Sequence, residues 1–240
     1  VKRDRDAVYV SRFTKWVLED TMLGAIMYFL LWIPLQLYRR VFLRLNVEGL
    51  ENLPPPEQGM ILAVNHLNWF DIPVLGLALP LRYRPWWVAK TEVVSNPLIG
   101  WWMRTMLVIP IRRGKRDLAA LEAAEAALRR GGTLIIFPEG HRSDNGELQE
   151  GHGGAIRLAA RTGCPIVPIA IWGTEAGLNG AMRRKPIHVR IGEPYSVAVT
   201  GRRISWSRMN ELTNEMMLRL AEIMPEQYWG FYREQMLATR

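Results

Sequence analysis

Two hydrophobic rhythms organise the chain. From Thr21 to Tyr38, "TMLGAIMYFLLWIPLQLY" carries no formal charge over eighteen residues. As one helix it is about 27 Å long, just short of a hydrocarbon core of about 30 Å. Pro34 interrupts it, which predicts an interfacial or re-entrant hairpin. Beyond this tract, short apolar runs alternate with segments of helical period. "FLRLNVEGL" (42–50) alternates like a half-buried strand, and "MILAVN" (60–65) is the continuous apolar run of a strand covered on both faces. "IPVLGLALP" (72–80) reads as a helix with Pro73 in its first turn. "RPWWVAK" (84–90) and "MLVIPI" (106–111) are strands around a short helix at "PLIGWWMRT", and "RDLAALEAAEAALRRGG" is a helix closed by Gly131 and Gly132. "TLIIF" and "PIVPIAI" are buried strands with the helix "GAIRLAART" between them. "PIHVRIGEPY" is a later strand, and "MNELTNEMMLRLAEIM" a terminal amphipathic helix.

This order predicts an α/β domain over residues 46–240, on a largely parallel or mixed sheet flanked by helices. Residues 1–45 form a helical region that seeks the membrane. No repeat or low-complexity tract is present.

Charge narrows the partner. Thirty-one Lys and Arg against 23 Asp and Glu give a net charge of +8 and an isoelectric point near 10.0, which favours an anionic partner such as a membrane surface, a phosphorylated substrate or nucleic acid. Arg39, Arg40 and Arg44 beside Trp32 and Tyr38 favour the membrane, where aromatics sit at headgroup level and each cation adds about 1 kcal/mol on anionic lipid. A marginal transmembrane helix and a buried core helix are the competing readings of the apolar tract. No small-residue cleavage site follows it, which argues against a signal peptide. No recognition-helix or RNA-sheet signature accompanies the basic charge, so nucleic acid is not expected as a partner. The single cysteine, Cys164, excludes an intrachain disulfide and fits a reducing compartment.

The candidate chemistry begins where the apolar strand "MILAV" ends, at Asn65 and His66, with Asp71 five residues past the histidine. On a continuous helix these two would stand about 140° apart and could not meet. A turn through "LNWF" brings them together and sets Asp71 at a helix start, where backbone N–H groups and the helix dipole keep a carboxylate ionised. An ionised Asp beside imidazole fixes the tautomer and supports the imidazolium formed when His takes a proton. The bland reading is an N-cap Asp and a satisfied buried His. Glu139 and Arg142, in "FPEGHRS", follow another buried strand and reach the same sheet edge if the two strands run parallel.

Four blocks in order strengthen the first reading. "NHLNWFD", "IPIRRG", "FPEGHRS" and "IVPIAI" resemble the motifs of the glycerolipid acyltransferase family, typified by the 1-acylglycerol-3-phosphate acyltransferases (lysophosphatidate acyltransferases), over roughly residues 45–200. The resemblance implies that His66 is the general base and Asp71 its orienting partner, with Asn65 beside them. It implies substrate contacts from Arg113, the best match to the second block's arginine, and from Arg112 beside it. It further implies acceptor and phosphate contacts from Glu139, Gly140 and Arg142, a substrate wall at Pro168, and a role for Lys90, which matches a lysine after the third strand. Asn68 stands where many members carry serine, and His141 where threonine is common.

The implied reaction moves an acyl group from acyl-CoA or acyl-carrier protein to the hydroxyl of a lysophosphatidate on an anionic membrane, with no cofactor and no metal. The location it implies is monotopic or peripheral, on the cytoplasmic face of the cell membrane. Another lysolipid or an amino-lipid is an alternative acceptor; a non-enzymatic basic lipid- or nucleic-acid-binding protein is an alternative of a different class. The chain has no G-x-S-x-G elbow, no P-loop and no H-E-x-x-H pair, so serine hydrolase, nucleotidase and zinc hydrolase chemistry lack their residues.

Overall fold

A computed structural model describes residues 22–94, 97–112, 117–198 and 204–239. Strand β2 (Met60–Val64) is buried at every position, between β5 (Thr133–Ile136) and β6 (Ile166–Trp172), both parallel to it. Its side chains divide by the period of two. Met60, Leu62 and Val64 enter one core and Ile61 and Ala63 the other, so apolar residues are required at every position.

Beyond β6, β7 (Pro186–Ile191) runs antiparallel, and β1 (Arg44–Glu48) pairs parallel with β7. At the other edge β3 (Trp87–Lys90) and β4 (Val108–Ile111) form a parallel pair. They are tied to β5 through Trp86, whose N–H donates to Thr133 O at 2.7 Å and whose carbonyl accepts from Ile135 N at 2.9 Å. The sheet is mixed, with a parallel centre.

Helices cover both faces. Helix α1 (Met22–Phe42), α2 (Asp71–Ala78) and α6 (Gly177–Met182) lie on the Leu62 side, and the short α3 (Pro97–Thr105) contacts α1. Helix α4 (Leu118–Arg129), α5 (Gly154–Thr162), α7 (Trp206–Glu222) and α8 (Arg233–Ala238) cover the opposite face. Gly131 ends α4 at φ 84°, where a Cβ would lie 2.5 Å from the Glu57 carbonyl oxygen, so the position admits only glycine.

The N-terminal tract departs from expectation. Where Pro34 predicts a break, α1 is one continuous helix through it. Pro34 lies on the exposed side, where the Leu30 carbonyl that it leaves unbonded is not sealed in the core. The hairpin is therefore not seen, and residues 1–21 lie outside the described part. Gln36 Nε2 and Arg39 NH1 donate to Leu77 O at 3.2 and 2.8 Å, satisfying an orphan carbonyl at the end of α2. Tyr28 is buried, whereas Ile26, Leu30, Ile33 and Leu37 are exposed. Among the described residues, no helix is long and apolar enough to cross a membrane.

Candidate active site

The carboxyl ends of β2, β5, β6, β3 and β4 share one edge of the sheet, and the polar residues singled out in the sequence follow those ends. Asn65 comes directly after β2. Its Nδ2 donates to Ile171 O and its Oδ1 accepts from Ile171 N, both at 2.8 Å. The fully buried amide thus extends the β2–β6 ladder by one side chain and is spent on backbone. It holds His66 in place and presents no free polar group to a substrate.

His66 leaves the sheet at this point. Its ring stacks on Phe137, centroids 4.0 Å apart and planes 19° from parallel, and its Nδ1 lies 2.8 Å from Asp71 Oδ2. The His66 side chain is 12% exposed and that of Asp71 fully buried. A carboxylate on Nδ1 places the imidazole proton there and leaves Nε2 as the basic nitrogen.

The turn "LNWF" is built around the same carboxylate. Asp71 Oδ2 also accepts from Leu67 N at 2.7 Å and Asn68 N at 2.8 Å, and Asn68 Oδ1 takes the Phe70 N–H at 3.1 Å. Asp71 is the first residue of α2, but its carboxylate turns back to the preceding loop instead of capping the helix. Its other oxygen accepts from Thr174 Oγ1 at 2.5 Å. Thr174, fully buried just past the end of β6, is absent from the sequence reading. The one available signal was a hydroxyl in "WGTE" at the same sheet edge.

Glu139 is a strut. It is fully buried; Oε1 accepts from His66 N at 2.7 Å and Oε2 from Gln149 N at 2.9 Å. Burial pushes its carboxyl up to about 7, against the two backbone N–H groups that pull it down. Ser143 N donates to His66 O at 2.7 Å, so the loop after β5 grips both sides of the His66 peptide unit. Gly140, between them, has φ 71°. A Cβ there would stand 3.2 Å from His152 Cδ2.

The cations differ in what holds them. Arg142 is exposed, with no ion pair or side-chain hydrogen bond among the described residues. Lys90 is exposed at the end of β3, in register with Ile111 of β4. Arg112 follows β4 with Nε 3.6 Å from Asp117 Oδ2, the carboxylate that also takes the Arg112 N–H and, through Oδ1, caps α4 at Ala120 N. Arg113 lies outside the described residues. Pro168 is buried inside β6 opposite Ala63, below the edge where His66 emerges, and its carbonyl accepts from Gly192 N at 2.9 Å.

The sheet thus has a parallel centre, and a buried His–Asp pair stands at its carboxyl edge. The family model described as Acyltransferase matches residues 44–172, more than half of the chain, and the chain belongs to that family. The chain is 32% identical over 200 residues to the chloroplastic 1-acyl-sn-glycerol-3-phosphate acyltransferase of Arabidopsis thaliana, covering 81% of this chain and 52% of that protein. It is 28% identical over 179 residues to the 1-acyl-sn-glycerol-3-phosphate acyltransferase of Bacillus subtilis, with 74% and 87% covered. A lyso-ornithine lipid O-acyltransferase of Pseudomonas aeruginosa is 37% identical over 117 residues, 48% of this chain and 44% of that protein. The match spans about half the length of the plant relative. The crystal structure of the 1-acyl-sn-glycerophosphate acyltransferase of Thermotoga maritima shares the fold, with a TM-score of 0.61 at 22% identity over 93% of this chain and 96% of that one.

Proposed function

We propose that this chain transfers a fatty acyl group from an acyl thioester to the free hydroxyl of 1-acylglycerol-3-phosphate, giving phosphatidate. The observation that carries the reading is the 2.8 Å contact of His66 Nδ1 with the buried Asp71 carboxylate. Nε2 of His66 takes the proton of the attacking hydroxyl as its oxygen bonds to the thioester carbonyl carbon. The C–S bond then breaks, and the departing sulfur takes the proton back as free thiol. No acyl-enzyme and no cofactor take part. General-base assistance of this kind is worth about 10² to 10⁴ in rate. Asp71 holds the tautomer and supports the imidazolium. Thr174, Asn65 and Glu139 position the pair.

Arg142, beside the His66 loop and with no carboxylate partner among the described residues, reads the acceptor phosphate together with Arg113. The donor is acyl-CoA or acyl-carrier protein. The exposed apolar side of α1, with Arg40 and Arg44 at its end, rests on an anionic membrane, which spares the enzyme the cost of extracting its acceptor.

A second reading keeps the chemistry and changes the acceptor to another lysolipid; the similarity to a lyso-ornithine lipid O-acyltransferase favours it. Thiol release measured across a panel of lyso-acceptors, each with both donors, tests the proposal. The first reading expects release that depends on lysophosphatidate. Equal or faster release with an acceptor that has no phosphate selects the second.

A further inference from the structure

Among the described residues, α1, α2, α3 and α6 all carry exposed large apolar side chains, and one group of them stands beside the His66–Asp71 pair without belonging to it. Trp69, in the turn that carries the pair, is 52% exposed, and Ile72 follows Asp71 in the first turn of α2. Helix α6 begins against Asn68 of the same turn, with Leu178 and Met182 bared, Met182 to 68%. The two are joined, since Asn68 Nδ2 donates to Glu175 O at 3.3 Å just before α6.

Arg183, Arg184 and Lys185 follow Met182 directly, all exposed. This cationic turn is braced on α1: Arg184 NH1 donates to Val41 O at 2.7 Å in the last turn of that helix. Arg184 also holds φ 52°, a left-handed backbone that a non-glycine residue adopts only when its surroundings hold it there. The turn is thus fixed, with three adjacent cations at the rim of an apolar surface.

We infer that α6 and the Arg183–Lys185 turn form a second membrane contact, which sets the mouth of the His66 site against the headgroups of an anionic phospholipid bilayer. The inference rests on the acyl-transfer reading only for its purpose; the contact itself is a matter of lipid binding. Charge and apolarity together select the occupant. Three cations suit anionic headgroups, and Leu178, Met182 and Trp69 suit the acyl boundary beneath them, whereas an acidic protein would need the cations alone. With α1 on the same side of the sheet, two contacts fix the tilt of the molecule where a single helix would leave it free to roll.

Two paired variants of the full chain test this, Leu178→Ser with Met182→Ser and Arg183→Gln with Lys185→Gln. Neither pair includes a residue assigned to the His66 site or the Arg184 brace. Sedimentation with vesicles of phosphatidylglycerol and phosphatidylcholine is expected to show partition falling about 25-fold for the cation pair, since each cation is worth about fivefold, and about tenfold for the apolar pair. Turnover of acceptor carried in those vesicles falls with it, while a short-chain acceptor in solution is turned over within about twofold of wild type. On pure phosphatidylcholine only the apolar pair should differ. Unchanged partition for both pairs overturns the inference. So does a loss confined to the acyl-carrier-protein donor with vesicle binding intact, which would make the cations a docking site for an acidic protein. If the wild-type chain turns over no acceptor, the acyl-transfer reading fails, and the sedimentation result still decides the membrane contact. Should the apolar pair fail to fold, the exposed cation pair carries the decision.

Discussion

The Glu139 carboxylate accepts the backbone N–H of His66 at 2.7 Å, so the residue carrying the proposed base is held by the loop after β5. Glutamine at this position keeps one acceptor oxygen but turns the other into a donor that faces the Gln149 N–H. Glu139→Gln should therefore cost about 1 to 3 kcal/mol of stability. It should also change the pH dependence. The folded carboxyl takes up its proton near 7 and the unfolded one near 4.5. Raising the pH through that window removes stability from the wild type, by up to about 3 kcal/mol at full ionisation. Urea denaturation at pH 5 and pH 8 should show this slope in the wild type and its absence in Glu139→Gln. The same slope in both proteins would remove Glu139 as its source.

Thr174 should matter through Asp71. Thr174→Val keeps the shape of the side chain and deletes the hydroxyl donated to Asp71 Oδ1. A hydrogen bond to a charged group is worth about 1.5 to 3 kcal/mol, so kcat should fall by about tenfold or more with KM nearly unchanged. Thr174→Ser keeps the hydroxyl that donates to Asp71 and should restore most of the loss. A loss of kcat that serine fails to restore, with stability lowered alongside, would make Thr174 a packing residue only.

Arg142→Ala separates recognition from chemistry. Use of lysophosphatidate, read as kcat/KM, should fall about ten- to a hundredfold, while use of the matching monoacylglycerol changes little. Undiminished preference for the phosphate-bearing acceptor would show that Arg142 does not read it.

The exposed side of α1 gives a membrane test that spares the fold. Removing residues 1–45 would strip Tyr28 and Leu43 from the core along with strand residues Arg44 and Leu45. Leu30→Ser with Leu37→Ser changes only exposed positions. That pair should lower vesicle binding at both low and high salt, because salt screens the cations and leaves the apolar contact. A variant that binds as tightly as wild type would return α1 to the role of a packing helix.

The α/β order was legible because the periods of β2, β5 and β6 follow from which faces are covered. The direction of β7 was not, since strand polarity relative to a neighbour leaves no local mark. Pro34 misled because a proline's cost depends on which side of the helix it occupies. Asn65 and Glu139 were legible as important residues but not as buried struts; residue type reports what a side chain can bond, and the fold decides which partner it meets. Thr174 acts on Asp71 across 103 residues of sequence, a distance no motif spans.

In the proposed reaction His66, set by Asp71, takes the proton of the acceptor hydroxyl. The most direct measurement is acceptor-dependent thiol release by purified, folded His66→Ala on vesicles to which it binds as the wild type does. Turnover should fall by at least about 10² to 10⁴, with the melting transition and vesicle binding retained. Turnover near that of the wild type would contradict this role of His66.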